Sequence, residues 1–127
     1  MRIYCTTCSK EKTIDPEPIK AIDRYQSDRI KMVFEKAQIE GVDFRILSGK
    51  FGLLHANTPI VWYDQKLEME AVPLLSTVVK EQLVADEITA IELFAKNPLE
   101  DKEWLPYTTL VEQVCLELKL EFTLHYL

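Results

Sequence analysis

The sequence predicts an α/β fold: a three-layer sandwich around a mostly parallel four-stranded sheet, in the order β-α-β-α-β-α-β. Three observations lead there. Short apolar stretches alternate with longer segments whose apolar residues recur at helical spacing. Residues 88–95 are almost continuously apolar, as expected of a strand covered on both faces. The 127 residues, 47% of them hydrophobic, suffice for a single globular domain, residues 1–127, with a sizeable core.

Residues 2–6 read as the first strand. Residues 7–24 are polar and contain Pro16 and Pro18, so they form a loop of unusual length. Ser27 is a good N-cap for a helix that carries Asp28 in its first turn, buries Ile30, Val33, Phe34 and Ala37, and stops at Gly41. The second strand covers 44–48, and a second irregular segment runs over 49–67. Pro73 suits the first turn of the next helix, whose buried stripe is Val72, Leu75, Val79 and Leu83. After the third strand, 98–106 is a loop. Thr109 and Glu112 then have capping-box spacing ahead of Leu110, Val111, Val114 and Leu118. Phe122, Leu124 and Tyr126 alternate with Thr123 and His125, which marks a half-exposed last strand at a sheet edge.

Charge narrows the function classes. The net charge is -6, unevenly spread: 10 Lys/Arg against 8 Asp/Glu up to Gly52, then 5 against 13. That balance argues against non-specific nucleic-acid binding, which needs a basic face, but leaves room for a local basic cleft in the first half. No apolar run approaches the roughly 20 residues that span a bilayer, and no signal peptide precedes the first strand. The expectation is a cytoplasmic protein without membrane attachment. Three cysteines, an odd number, fit a reducing compartment.

The most informative stretch is Ile46-Leu47-Ser48-Gly49-Lys50-Phe51-Gly52. A strand that ends in Ser-Gly lets a ligand come close to the backbone, because glycine has no Cβ. In open α/β sheets ligands sit beyond the carboxyl ends of strands. The loop with Cys8, Lys10 and Lys12 leaves the first strand from the same sheet edge, so the two loops are expected to meet. Lysines there can hold a phosphate or carboxylate, and one that is desolvated can act as base or nucleophile. Cys5 and Cys8 have C-x-x-C spacing, but Cys115, His55 and His125 supply no second ligand pair. Cys5 is expected to be a buried strand residue, Cys8 a loop residue near the site, and neither a metal nor a cofactor is expected. Trp62-Tyr63-Asp64 combines aromatic rings and a carboxylate, suited to a flat base, although the same residues can simply pin the loop to the core.

The run Cys8-Ser9-Lys10-Glu11-Lys12, then Tyr25-Gln26-Ser27, then I-L-S-G-K-F-G-L-L, then P-I-V-W-Y-D-Q-K-L resembles a small bacterial and phage family of unknown function. Its members read Cys-Gly-Lys-Lys-Lys, Leu-Tyr-x-Ser, Leu-Ser-Ala-Lys-x-Gly-Leu-Leu and Pro-Tyr-Asp-x-x-Leu. The central segment is also similar to the YaaA-type peroxide-stress proteins, whose later Tyr-Arg-Leu-Glu-Met is echoed by Leu67-Glu68-Met69. The cysteine segment more distantly resembles the core domain of archaeosine synthase. The likeness covers roughly residues 3–69 and points to Cys8, Lys10, Lys12, Tyr25, Ser27, Ser48, Lys50, Gly52, Tyr63 and Asp64. Departures are Ser9 for glycine, Glu11 for lysine, Asn57 for a loop proline and Trp62 for proline. Glu11 weakens the positive charge of the first loop.

These families share a tie to nucleic acids or their bases. The expected function is therefore binding or modification of a nucleobase, nucleotide or short nucleic acid in a strand-end cleft. Lys10, Lys12 and Lys50 would neutralise phosphate, and Ser48 and Asp64 would hydrogen-bond base or sugar. Gly49 and Gly52 would let the backbone approach the ligand, while Tyr25 and Tyr63 would stack or close the pocket. Should there be catalysis, Lys10 or Lys50 is the candidate reactive amine, with Asp64 as proton acceptor. The rival expectation is a non-catalytic interaction module that docks a basic partner on the acidic C-terminal half.

Overall fold

The computed structural model describes residues 1–9, 12–14 and 17–127. Its centre is a five-stranded, mostly parallel sheet in the order β4-β3-β1-β6-β7. The chain starts in the middle with β1 (Arg2–Thr7). The short strand β2 (Ile19–Lys20) and the single helical turn α1 (Ala21–Arg24) follow. Helix α2 (Asp28–Glu40) leads to β3 (Asp43–Ser48), which pairs parallel with β1. Then come β4 (Gly52–Leu54), β5 (Pro59–Ile60) and helix α3 (Val72–Ala85). Strand β6 (Ala90–Ala95) returns to the other side of β1. Helix α4 (Leu105–Leu118) and edge strand β7 (Glu121–Tyr126) complete the chain. Among the described residues no helix is long and apolar enough to cross a membrane.

Strand pleating sorts the core. Successive side chains of a strand point to opposite sheet faces. Ile3 and Cys5 of β1, with Leu47, Ile91 and Leu93, join the buried stripes of α3 and α4. Tyr4, Phe44, Ile46 and Phe94 join Ile30, Val33 and Ala37 of α2. Cys8, just past the end of β1, packs against both clusters.

Helix α2 follows its sequence signals closely. Ser27 Oγ accepts a bond from the Ile30 N–H at 3.4 Å, and Gly41 ends the helix at φ 69°.

The structure corrects the predicted strand count, because β4 is a fifth, antiparallel strand. Ser48 Oγ accepts from the N–H groups of Lys50 (3.0 Å) and Phe51 (2.7 Å), which closes a tight turn. Gly52 leaves that turn at φ 75°, and the Gln82 side chain then bonds Leu53 N (2.8 Å), Leu53 O (3.1 Å) and Phe51 O (3.3 Å). A three-residue strand held by a distant glutamine has no periodicity to read. The two long segments are also less irregular than expected, since β2 and β5 pair antiparallel. Ala21 N donates to Thr58 O at 2.8 Å and Ile22 N to Ala56 O at 3.0 Å. Thr109 and Glu112 do not cap: both lie inside α4. That helix starts earlier, with Pro106 in its first turn, after a 3₁₀ turn at Lys102–Trp104 where Asp101 accepts from Glu103 N at 3.1 Å.

Two glycines with positive φ separate backbone strain from packing. A Cβ at Gly41 meets open space, whereas one at Gly52 sits 2.6 Å from Gln82 Oε1. Gly41→Ala should therefore cost only the left-handed penalty, about 1–2 kcal/mol. Gly52→Ala also dislodges the Gln82 bonds and should cost roughly 1 kcal/mol more. Urea unfolding of the two variants tests this, and equal losses would contradict the glutamine clamp.

Candidate functional site

Five segments meet beyond the carboxyl ends of β1 and β6 and enclose a cleft of about 380 Å³. The site is a consequence of topology. From β1 the chain moves outward to β3 on one side, and later to β6 and β7 on the other. The loops leaving β1 and β6 therefore diverge and open a crevice between them. Thr7, Cys8 and Ser9 come from the end of β1, and Lys96 from the end of β6. Gln26, Ser27 and Arg29 bring the start of α2. Asp64, Gln65 and Lys66 form one wall; Asp101, Glu103, Trp104 and Tyr107 form another.

Arg29 is the most constrained cation in the cleft. Its Nη1 donates to Thr6 Oγ1 (2.7 Å) and to Thr7 O (2.9 Å), and its guanidinium carbon lies 4.7 Å from the Trp104 ring centroid. Those two bonds use both Nη1 hydrogens. Among the described residues no carboxylate pairs with it, and Nε and Nη2 have no protein acceptor. Burial pulls its pKa below the ordinary value, with the neighbouring Cys8 side chain acting in the opposite direction. Lys66, by contrast, is engaged by Glu103 at 3.3 Å.

Beneath the cleft lies a set of hydroxyls and one thiol. Cys8 N donates to Leu47 O at 2.9 Å, which holds Cys8 as an extension of β1. Its Sγ is 3.6 Å from the Tyr107 hydroxyl, which also accepts from Leu67 N at 3.1 Å. The hydroxyls of Tyr25 and Tyr63 are hydrogen-bonded to each other. Phe51 packs edge-on against Tyr63 at 5.2 Å, and the Lys12 ammonium lies 4.8 Å from the Tyr63 ring centroid. Burial is the main reason that Tyr25, Tyr63 and Tyr107 all hold their protons more tightly than a free phenol. Gly49 makes the wall possible: a Cβ there would lie 2.9 Å from Gln65 O and Leu67 N and 3.1 Å from the Tyr107 hydroxyl.

Of the residues singled out from sequence, Cys8, Lys12, Ser27 and Asp64 line the cleft. Tyr25 and Tyr63 are buried, so their rings support the cleft instead of facing a ligand. Ser48, Gly49 and Gly52 build the turn behind it. Lys50 is exposed and not part of the lining; its ammonium sits 5.3 Å from the Phe51 ring centroid. Lys10 lies outside the described residues. Trp62 and His55 are exposed away from the cleft. Sequence reasoning missed Arg29, Lys96, Trp104 and Tyr107. One signal for Arg29 was present: a cation in the first turn of a helix opposes the helix dipole and calls for an anion nearby. Among the described residues no three His, Cys, Asp or Glu side chains gather as a metal site.

The model of DUF6884, a family of unknown function, matches residues 3–97. That span runs from β1 to just beyond β6; Trp104 and Tyr107 lie past it. No curated protein and no solved structure matches the chain.

Two outcomes follow from the burial pattern. Cys5 and Cys115 are buried, and burial pushes their thiols up to about 12 and about 11, whereas Cys8 is half-buried at the cleft. Iodoacetamide at pH 8 should place its first adduct on Cys8, read by peptide mass spectrometry; simultaneous labelling of all three would contradict the packing. Because these thiols and the three tyrosines have raised pKa values, the folded state keeps protons that the unfolded chain gives up. Their stabilising effect is complete below pH 9 and is lost as pH rises from the ordinary thiol value of 9.0 towards about 12. The melting temperature should fall between pH 9 and 11, and a flat profile would refute it.

Proposed function

We propose that this chain, which belongs to the DUF6884 family of unknown function, binds a nucleotide-sized ligand in the cleft at the carboxyl ends of β1 and β6. The observation that carries this reading is a local inversion of charge. The whole chain has a net charge of -6, yet the described lining sets Lys12, Arg29, Lys66 and Lys96 against Asp64, Asp101 and Glu103. Helix α2 also begins at the cleft and turns the positive end of its dipole that way.

A cleft of about 380 Å³ suits a ligand of this size. Lys12 and Lys96 neutralise its anionic part, while Asp64, Gln65 and Gln26 supply acceptors and donors for a base or sugar edge. The likeness of residues 46–54 to YaaA-type proteins, and of the Cys8 segment to archaeosine synthase, favours a nucleotide over other small anions. The reading includes the three-layer packing, with α2 over one sheet face and α3 and α4 over the other, supported by the two separate core clusters. Three unpaired cysteines suit a reducing, cytoplasmic setting.

Ligands that bind only the native state raise its melting temperature, by about 2.7 kcal/mol of stabilisation at a hundredfold excess over Kd. Nucleosides, nucleotides and short oligonucleotides at millimolar concentration should include at least one that shifts the transition upward. A Lys12→Ala/Lys96→Ala protein should bind that ligand several-fold more weakly. No shift with any of them would overturn the reading.

A further inference from the structure

We infer that Arg29 reads a phosphate monoester with the free edge of its guanidinium, so that the cleft takes a nucleoside monophosphate in preference to the nucleoside. This rests on the nucleotide reading above and assigns its substrate class.

Arg29 and Arg24 make the case by contrast. Arg24 has no exposed surface, and its guanidinium is turned inward onto the carbonyl oxygens of Thr13 (2.6 Å), Glu17 (2.8 Å) and Ile60 (3.0 Å). Arg29 is only half built in. Thr6 and Thr7 occupy both Nη1 hydrogens, and the Trp104 ring covers the guanidinium. The opposite edge, Nε with Nη2, has no acceptor among the described residues, and neither atom is buried and unsatisfied. That edge presents parallel N–H donors, the fork that matches two oxygens of one phosphate.

Three costs converge on this side chain. It is partly desolvated, it has no carboxylate partner among the described residues, and it stands in the first turn of a helix, at the positive end of the dipole. A dianionic group at the fork relieves all three at once. A diester phosphate carries one charge and fewer free oxygens, so it relieves them less. Stacking and the two Nη1 bonds fix the fork before any ligand arrives, so little side-chain freedom is lost on binding.

Isothermal titration of the full chain with a nucleoside, its 5′-monophosphate, inorganic phosphate and a dinucleotide carrying only a diester tests this. The parent protein should bind the monophosphate at least tenfold more tightly than the nucleoside or the diester. Inorganic phosphate should compete weakly. Arg29→Ala should erase the preference for the monophosphate while leaving nucleoside affinity in place. Arg29→Lys keeps the charge without the fork and should recover only part of the preference. Should Arg29→Ala fail to fold, the parent ligand series and Arg29→Lys still decide. Equal binding of nucleoside and monophosphate by the parent overturns the role of Arg29 and leaves the nucleotide reading standing. Full preference in Arg29→Lys overturns the fork. No binding of any of the four removes the nucleotide reading itself.

Discussion

Arg24 is wholly buried, and its guanidinium is anchored on the main chain: the carbonyls of Thr13, Glu17 and Ile60 receive its hydrogens. Two of those carbonyls belong to the long segment after β1 and the third to β5. The side chain therefore ties together stretches that come from different strand ends. A buried charge of this kind stabilises only while its partners stay in place; removing them leaves a desolvated cation, a cost of about 3–5 kcal/mol. The pairing of β2 with β5 and the bond between the Tyr25 and Tyr63 hydroxyls sit on either side of this pin and depend on the same alignment. Together with the Lys12–Tyr63 contact, it fixes the segment carrying Lys12 against the wall carrying Asp64.

The cleft thus combines a rigid floor with an open, charged mouth. Its floor is the seam where the two apolar clusters meet around Cys8. Its mouth collects groups from β1, α2, β6, the 64–66 wall and the turn before α4. Ionisable groups below the mouth are held neutral by burial, as the tyrosines and Cys5 illustrate. Formal charge is concentrated at the rim, where a polar ligand can meet it without first crossing an apolar layer.

Much of the scaffold was legible in the sequence because its signals are local. Ser27 and Gly41 mark α2 through one hydroxyl and one left-handed residue, and 88–95 announces a covered strand by composition. Strand β4 was not legible, because its stability comes from Gln82, distant in sequence. The Thr109–Glu112 pair misled because capping spacing also arises by chance inside a helix already begun by Pro106. At the site, Cys8 and Lys12 were accessible from their place after the first strand, and Ser27 and Asp64 from the family likeness of the segments that carry them. Arg29 was hidden by its place on a helix, where periodicity reads a charged residue as solvent-facing. Trp104 and Tyr107 come from the second half, where only the β6 crossover brings them to β1.

Gly49 lines no part of the cleft, yet the backbone of 65–67 rests directly on it, and so does the Tyr107 phenol. The spacing between two walls that arise from different parts of the chain is thereby set by a missing carbon. A methyl group inserted at this point would act as a wedge: it would lift the Leu67 amide from its phenolic acceptor and change the aperture from behind. The turn after β3 is in this sense the gauge to which the opening is cut, and its geometry and that of whatever enters must change together.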